Sequence, residues 1–144
     1  MDVYTFPAYS RMKDALTIEE MDRLVGIIED FCLLHPGDED FEELYDSVEE
    51  RSLRYADIRQ RWSRMSFGER AVIDDDRTAA HDSLIRAFRI LFRYMGSASE
   101  EDEKERIFDA WNLLSREDRL GIPSRKRVGD FGCYLAFLAA VHQR

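Results

Sequence analysis

The densest cluster of residues that could do chemistry lies between Asp74 and Arg86. Four of its side chains could bind a ligand or carry a proton, namely Arg77, His81, Asp82 and Arg86. On a helix, Arg77 and His81 are four residues apart and therefore share a face. Histidine titrates near neutral pH and is a common general base, and arginine pairs readily with carboxylates and phosphates. One interpretation is therefore a ligand-binding or enzymatic site in which Arg77 holds an anion and His81 moves a proton.

A structural interpretation of the same cluster is simpler. Carboxylates collect in the first turn of a helix because the helix dipole favours negative charge there, and Asp74–Asp76 fit such a start. Arg77 would then pair with Asp74, and His81 would pack in the core. The sequence also contains no phosphate-binding glycine loop and no hydrolase elbow motif. We therefore predict a protein that is not an enzyme and has no catalytic residue and no cofactor.

The adjacent pair His81 and Asp82 resembles the paired ligands of the HD-type metal-dependent phosphohydrolases, which are all-helical. In that family an upstream histidine and a distant aspartate complete the metal site. The resemblance would place these two roles on residues from the following set: His35, Asp109, Asp118 and Asp130. It covers two residues, and the apolar and glycine context that follows the pair in the family is missing here. No metal ligand is therefore predicted.

Two short segments, 77–82 and 129–131, together resemble small uncharacterised bacterial proteins of the kind often found on mobile elements. The resemblance implies a compact helical domain with no established activity, and it transfers no catalytic residue. It would make the chain a small bacterial or phage domain.

Acidic side chains are concentrated in one part of the chain. Residues 14–50 carry fourteen acidic residues and one arginine, whereas residues 51–70 carry six arginines and two acidic residues. An acidic lobe attracts a basic partner and raises the rate of association. Carboxylates spread over a helix face can also imitate the phosphates of a nucleic acid. The predicted partner-binding residues are Asp38, Glu39, Glu42, Glu43, Asp46, Glu49 and Glu50.

The charge of the whole chain narrows the class of partner. Its 21 basic and 30 acidic residues give a net charge of −9, which disfavours direct binding to nucleic acid or to an anionic membrane. We expect a protein that acts by protein–protein interaction, as an adaptor or inhibitor of a basic protein partner. Two alternatives stay open: the ligand-binding or enzymatic site around Arg77 and His81, and an oligomeric structural protein. In the latter, the second helix would form a homodimer through Tyr45, Val48, Tyr55 and Trp62.

Five helices are predicted to position these residues. Apolar residues recur at helical spacing, and capping boxes begin the first and third helices. The second helix starts near Asp38 or Asp40 and runs to about Met65, and a further start signal at Asp74–Asp76 would split the third into two pieces. The fifth, over about 125–142, is apolar nearly all round, which is typical of a helix surrounded by others. Gly129 and Gly132 would allow it to approach its neighbours closely.

Length and composition fit one packed domain. The chain has 144 residues, of which 44% are hydrophobic, enough for a single core. The predicted fold is an all-α, compact bundle of about five helices with the apolar C-terminal helix at its centre. We divide the chain into an N-terminal aromatic arm, residues 1–16, and a single helical domain, residues 17–144. Cys32 and Cys133 are expected to be buried thiols, and the absence of a signal peptide and of a membrane-spanning stretch predicts a cytoplasmic protein.

Overall fold

The computed structural model describes residues 15–142, and every regular element in that range is a helix. The helices are α1 (Ile18–Leu34), α2 (Glu39–Arg64), α3 (Phe67–Ser97), α4 (Glu101–Ser115) and α5 (Arg125–His142). The predicted all-α bundle of five helices is therefore confirmed. The predicted aromatic arm lies outside the described residues, apart from its last two positions.

Side chains define where α1 and α3 begin. The hydroxyl of Thr17 accepts a hydrogen bond from the backbone N–H of Glu20 at 3.0 Å, and the Glu20 carboxylate accepts one from the N–H of Thr17 at 2.9 Å. Ser66 and Glu69 form the same reciprocal arrangement at the start of α3. These contacts satisfy N–H groups that have no partner inside the helix. Both predicted capping boxes are confirmed.

The third helix is continuous over 31 residues, so the predicted division at Asp74–Asp76 is wrong. Ser66 sets the start of α3, and the three aspartates lie about two turns further along, where they are exposed. At that depth they are remote from the unpaired N–H groups of the first turn, so capping does not explain them. Asp74 instead accepts a hydrogen bond from the Trp62 indole at 2.8 Å.

The last helix lies at the centre of the bundle. Ten consecutive residues of α5, Arg127–Ala136, are buried. Its side chains contact each of the other helices, through Tyr134 with Asp22 of α1, Asp130 with Arg59 of α2, Phe131 with Phe88 of α3, and Arg127 with Leu113 of α4. The predicted central position of the C-terminal helix is therefore confirmed.

Two glycines bring α5 close to its neighbours. A Cβ atom at Gly129 would lie 2.9 Å from the Tyr55 hydroxyl, and one at Gly132 would lie 2.5 Å from a methyl group of Leu84. Both distances are shorter than ordinary van der Waals contact, so a larger side chain would force neighbouring atoms to move. The predicted role of the two glycines in close packing is confirmed.

The apolar stripe of α2 packs within the bundle. Val48 and Tyr55 are 0% and 1% exposed, and the Tyr55 ring stacks on His81 of α3. These side chains cannot meet a second copy without opening the bundle. A homodimer through this stripe is therefore not supported.

The two cysteines have different surroundings. Cys133 is buried, as predicted, but Cys32 is exposed, so the expectation of two buried thiols is wrong for Cys32. The neighbouring side chains Ile28 and Phe31 fill the core-facing positions of this part of α1. In residues 15–142, no helix combines the length and the hydropathy that crossing a membrane requires.

Candidate functional site

An apolar groove runs between α1, α2 and α5 and encloses about 330 Å³. Its apolar walls are Val25, Ile28 and Cys32 of α1, Phe41 and Tyr45 of α2, and Leu135, Leu138 and Ala139 of α5. Ile28, Phe41 and Leu135 also belong to the core of the bundle, so the floor of the groove is held in place by the fold. A groove of this kind can accept the apolar face of a helix.

Carboxylates border this groove. Glu29 of α1 and Glu49 of α2 line it directly. Burial raises the pKa of Tyr45 to about 12, and the negative charges of Glu49, Glu29 and Asp46 add to the rise. The phenol keeps its proton because losing it would place a further negative charge beside these carboxylates. Glu49, Glu29 and Asp46 therefore lie close enough to Tyr45 to disfavour loss of its proton.

The remaining acidic candidates on α2 form two stripes, because residues three and four apart share a helix face. The first stripe, named the acidic rim, consists of Glu42, Asp46 and Glu49, of which Glu49 lines the groove. The outer stripe, which faces water, consists of Glu39, Glu43 and Glu50. All six side chains are exposed except that of Glu49, which is partly buried at the groove. The structure therefore brings most of the predicted partner-binding residues onto one continuous surface.

Asp38 differs from these residues because it has a structural role. Its carboxylate caps α2 by accepting a hydrogen bond from the N–H of Phe41 at 3.0 Å. The Tyr94 hydroxyl also donates to this carboxylate, with oxygen–oxygen distances of 2.7 and 2.6 Å. The bond from Tyr94 and then the one from Phe41 hold the pKa of Asp38 below its ordinary value. Asp38 therefore connects the start of α2 to the end of α3.

His81 is enclosed by its neighbours and is 7% exposed. Its Nε2 lies 2.6 Å from the carbonyl oxygen of Arg125, and since a carbonyl only accepts, Nε2 carries the hydrogen. The ring stacks on Tyr55 with 4.8 Å between ring centres. Burial lowers the pKa of His81, so the ring is neutral near pH 7. His81 thus joins α3 to α5, and the adjacent Asp82 forms an ion pair with Arg125 at 3.2 Å.

The other two predicted ligand-binding residues lie elsewhere. The guanidinium of Arg77 is 4.5 Å from the centre of the Trp62 ring, and Arg70 approaches the same ring at 4.1 Å. Such stacking is a common favourable contact of arginine. Arg86 is exposed and lines a shallow depression between α2 and α3 together with Arg51. The four predicted residues therefore have three different surroundings.

Within residues 15–142, no three histidine, cysteine, aspartate or glutamate side chains form a group that could hold a metal ion. The HD-type resemblance would need His81, Asp82 and His35 to meet a distant aspartate. Instead, Nε2 of His35 lies 3.0 Å from the Glu103 carboxylate. The structure does not support the metal site that this resemblance implies.

A buried ion cluster was missed by the sequence analysis. Asp130 of α5 is 0% exposed and lies 3.2 Å from Arg59 of α2 and 3.6 Å from Lys126. Arg59 also donates to the sulfur of Cys133 at 3.8 Å. Burial raises the pKa of Cys133 to about 11, so this thiol stays protonated and unreactive at neutral pH. The cluster of Arg59, Lys126 and Asp130 joins α2 to the central helix.

The ion pair between Lys126 and Asp130 could have been predicted from the sequence. Lys126 and Asp130 are four residues apart, a spacing that favours an ion pair on a helix. Asp130 also lies in a largely apolar segment, where an unpaired charge would be costly. The contribution of Arg59 had no such signal, because it lies 71 positions away along the chain.

No known protein family matches the chain, and comparison with curated proteins and with solved structures found no match. The resemblance to small bacterial proteins therefore stays a prediction. The groove between α1, α2 and α5, together with the carboxylates beside it, is the feature that best indicates a function.

Proposed function

We propose that this protein acts by protein–protein interaction and that the groove between α1, α2 and α5 holds a basic amphipathic helix of its partner. One observation carries the proposal: an apolar groove is bordered by carboxylates from two helices. A partner helix would place its apolar face in the groove and its lysines or arginines beside Glu29 and the acidic rim. The protein would then serve as an adaptor or inhibitor of that partner.

The apolar floor and the carboxylates would contribute in different ways. Burial of the partner's apolar side chains against Phe41, Tyr45 and Leu138 would supply most of the affinity. The acidic rim would orient the partner and raise its association rate, an effect that weakens as salt increases. The outer stripe extends the negative field without contacting the groove. Where the partner is itself a nucleic-acid-binding protein, these carboxylates would take the place of phosphates, and the protein would inhibit by mimicry.

A designed peptide tests both parts of the groove. The probe is a fluorescently labelled helix of leucine and lysine in which the leucines form one face. We expect saturable binding by fluorescence anisotropy, with an affinity that falls as salt increases. A peptide of the same composition in scrambled order has no apolar face and should bind much more weakly. Equal binding of the two peptides would mean that charge alone holds them, which would contradict the groove.

Charge reversal locates the site on α2. Changing all three residues of the acidic rim to lysine should weaken binding by about a hundredfold, because close charge pairs become repulsive. The matched control makes the same change of net charge at three exposed positions of α4: Asp102→Lys, Glu105→Lys and Asp109→Lys. An equal loss in the control would assign the effect to net charge and not to the rim.

A third variant occludes the groove without altering charge. Cys32 is exposed and lines the groove, so Cys32→Trp should fill the groove while sparing the core. We expect weaker binding of the amphipathic peptide and an unchanged unfolding transition by circular dichroism. Unaltered peptide affinity would place the peptide somewhere other than this groove.

A further inference from the structure

A second cleft lies between the C-terminal half of α3 and α4, and the loop that follows α4 closes one end. It encloses about 700 Å³, within the range of roughly 300–1,000 Å³ that is typical of small-molecule sites. None of its lining residues also lines the groove between α1, α2 and α5. The cleft can therefore be considered independently of the proposed partner site.

The apolar part of this cleft is formed by Phe92, Ile107, Phe108 and Trp111. Phe92 and Ile107 are buried, and Phe108 is 63% exposed. Trp111 lies edge-to-face against Phe92, with 5.6 Å between the ring centres and 85° between the planes. An apolar ligand would remove the exposed Phe108 surface from water, which favours binding. The walls thus suit a flat apolar body.

The charges of the cleft are positive, in contrast to the chain as a whole. Arg89, Arg93 and Lys104 line it, against the single carboxylate of Glu117. Arg89 lies 3.7 Å from that carboxylate. Arg93 and Lys104 are exposed, and neither forms an ion pair in the part of the chain that the structure describes. The cleft therefore offers two cationic side chains to an incoming anion.

We propose that this cleft binds a small organic anion with a flat apolar body. The body would lie against Phe108 and Trp111, and a carboxylate, sulfonate or phosphate group would pair with Arg93 and Lys104. The planar guanidinium of Arg93 matches the geometry of such oxyanions. A neutral aromatic molecule would lose the ion pairs, and a bare inorganic anion would lose the apolar contacts. The combination restricts the ligand to amphiphilic anions.

A matched pair of dyes tests this assignment. Anilinonaphthalene sulfonate has aromatic rings and one anionic group, and anilinonaphthalene has the same rings without the sulfonate. We expect the folded protein to bind the sulfonate dye about tenfold more tightly, since ion-paired hydrogen bonds add to the contacts of the rings. The indole N–H NMR signal of Trp111 should shift on binding, and that of Trp62 should not. Equal affinities for the two dyes would overturn the proposal.

Variants of the two exposed cations provide the second arm. In the double variant Arg93→Gln/Lys104→Gln, the affinity for the sulfonate dye should fall to that of the neutral dye, which itself should not change. The matched control, Arg23→Gln/Arg54→Gln, removes two exposed arginines outside the cleft and should leave both affinities unchanged. Equal losses in the two variants would mean that the dye responds to overall charge, which would also overturn the proposal.

The variant Cys32→Trp separates this cleft from the groove. If it abolishes binding of the sulfonate dye, the dye lies in the groove between α1, α2 and α5 and the assignment is wrong. If the dye affinity is unchanged, the dye does not lie in the groove, and its assignment to the cleft between α3 and α4 stands. That result does not depend on whether the groove binds the peptide.

Discussion

Helix α2 carries exposed carboxylates near its start and a partly buried arginine, Arg59, near its end, and these charges differ in what surrounds them. Near its start, the outer stripe faces water. Near its end, Arg59 lies 3.2 Å from Asp130, which is 0% exposed. Exposed charges are screened and contribute little to stability, so they are available to a partner. A buried pair has lost its hydration and depends on its protein neighbours, so its role is to hold α2 against the central helix.

His81 occupies a place between these two extremes. Like Asp130 it is buried, but it is neutral and its hydrogen bond goes to a backbone carbonyl. Its protonation would create a buried positive charge near Arg125, Arg77 and Arg59, with only the carbonyl of Arg125 favouring the proton. We therefore expect the change in the free energy of unfolding to be largest at the buried ion cluster, smaller at His81 and smallest at the outer stripe.

The largest effect is expected at Asp130. The variant Asp130→Asn removes the negative charge and leaves Arg59 and Lys126 without their partner. Breaking a buried ion pair costs about 3–5 kcal/mol, and we expect the lower end, because Arg59 and Lys126 are 16% and 25% exposed and can turn toward water. Urea unfolding followed by circular dichroism measures the change.

The control for this variant is Asp109→Asn, which makes the same substitution at an exposed position of α4. It should change the free energy of unfolding by less than about 0.5 kcal/mol. Similar losses in both variants would show that burial of the carboxylate does not account for the effect of Asp130→Asn.

A smaller loss of stability is expected when the pH falls, because of the lowered pKa of His81. Burial lowers its pKa in the folded protein, whereas the unfolded chain takes up a proton near the ordinary value of about 6.5. The free energy of unfolding should therefore fall as the pH drops below about 6.5, by at most about 1.4 kcal/mol per pH unit, until the native pKa is reached. Unfolding curves between about pH 7.5 and about pH 5.5 would show this slope, above the range in which most carboxylates titrate.

Two histidine variants assign that slope. In His81→Gln the dependence on pH over this range should become nearly flat. In His142→Gln it should persist, because His142 is exposed near the end of α5. A slope that survives in His81→Gln and disappears in the other variant would refute the assignment.

The smallest effect on stability is expected at the outer stripe. Replacing Glu39, Glu43 and Glu50 by glutamine should change the free energy of unfolding by about 0.5 kcal/mol or less at each position. The association rate of the leucine–lysine peptide should nevertheless fall several-fold at low salt and converge with that of the wild type at high salt. Stopped-flow fluorescence measures the rate. A large loss of stability with an unchanged rate would reverse the roles assigned to the two ends of α2.

Much of the fold followed from local patterns. The capping residues Thr17 and Ser66 act on N–H groups within three residues, so their effect is visible in a short stretch of sequence. The apolar character of α5 likewise predicted its central position. Local patterns gave a wrong helix start at Asp74–Asp76, because an acidic run suits both the start of a helix and its exposed face. The capping box at Ser66 had already begun this helix.

The candidate site was predictable only in part. The acidic residues of α2 were identified from their density, and helical spacing separates the rim from the outer stripe. The groove beside them was not predicted, because its walls come from three helices and Cys32 was expected to be buried. The cluster around Arg77 and His81 was singled out from adjacency in sequence, but Trp62 and Arg125, distant along the chain, determine what those side chains contact.

By itself, the sequence determined five helices, the capping boxes that begin α1 and α3, and the central position of the last helix, because caps and apolar periodicity act over a few residues. Only the tertiary structure decided which charges are buried and where the two clefts lie. Asp130 meets Arg59 across 71 positions of the chain, and His81 meets the Arg125 carbonyl across 44. Such pairs depend on how whole helices pack, because folding changes the surroundings of each side chain and not its chemical type.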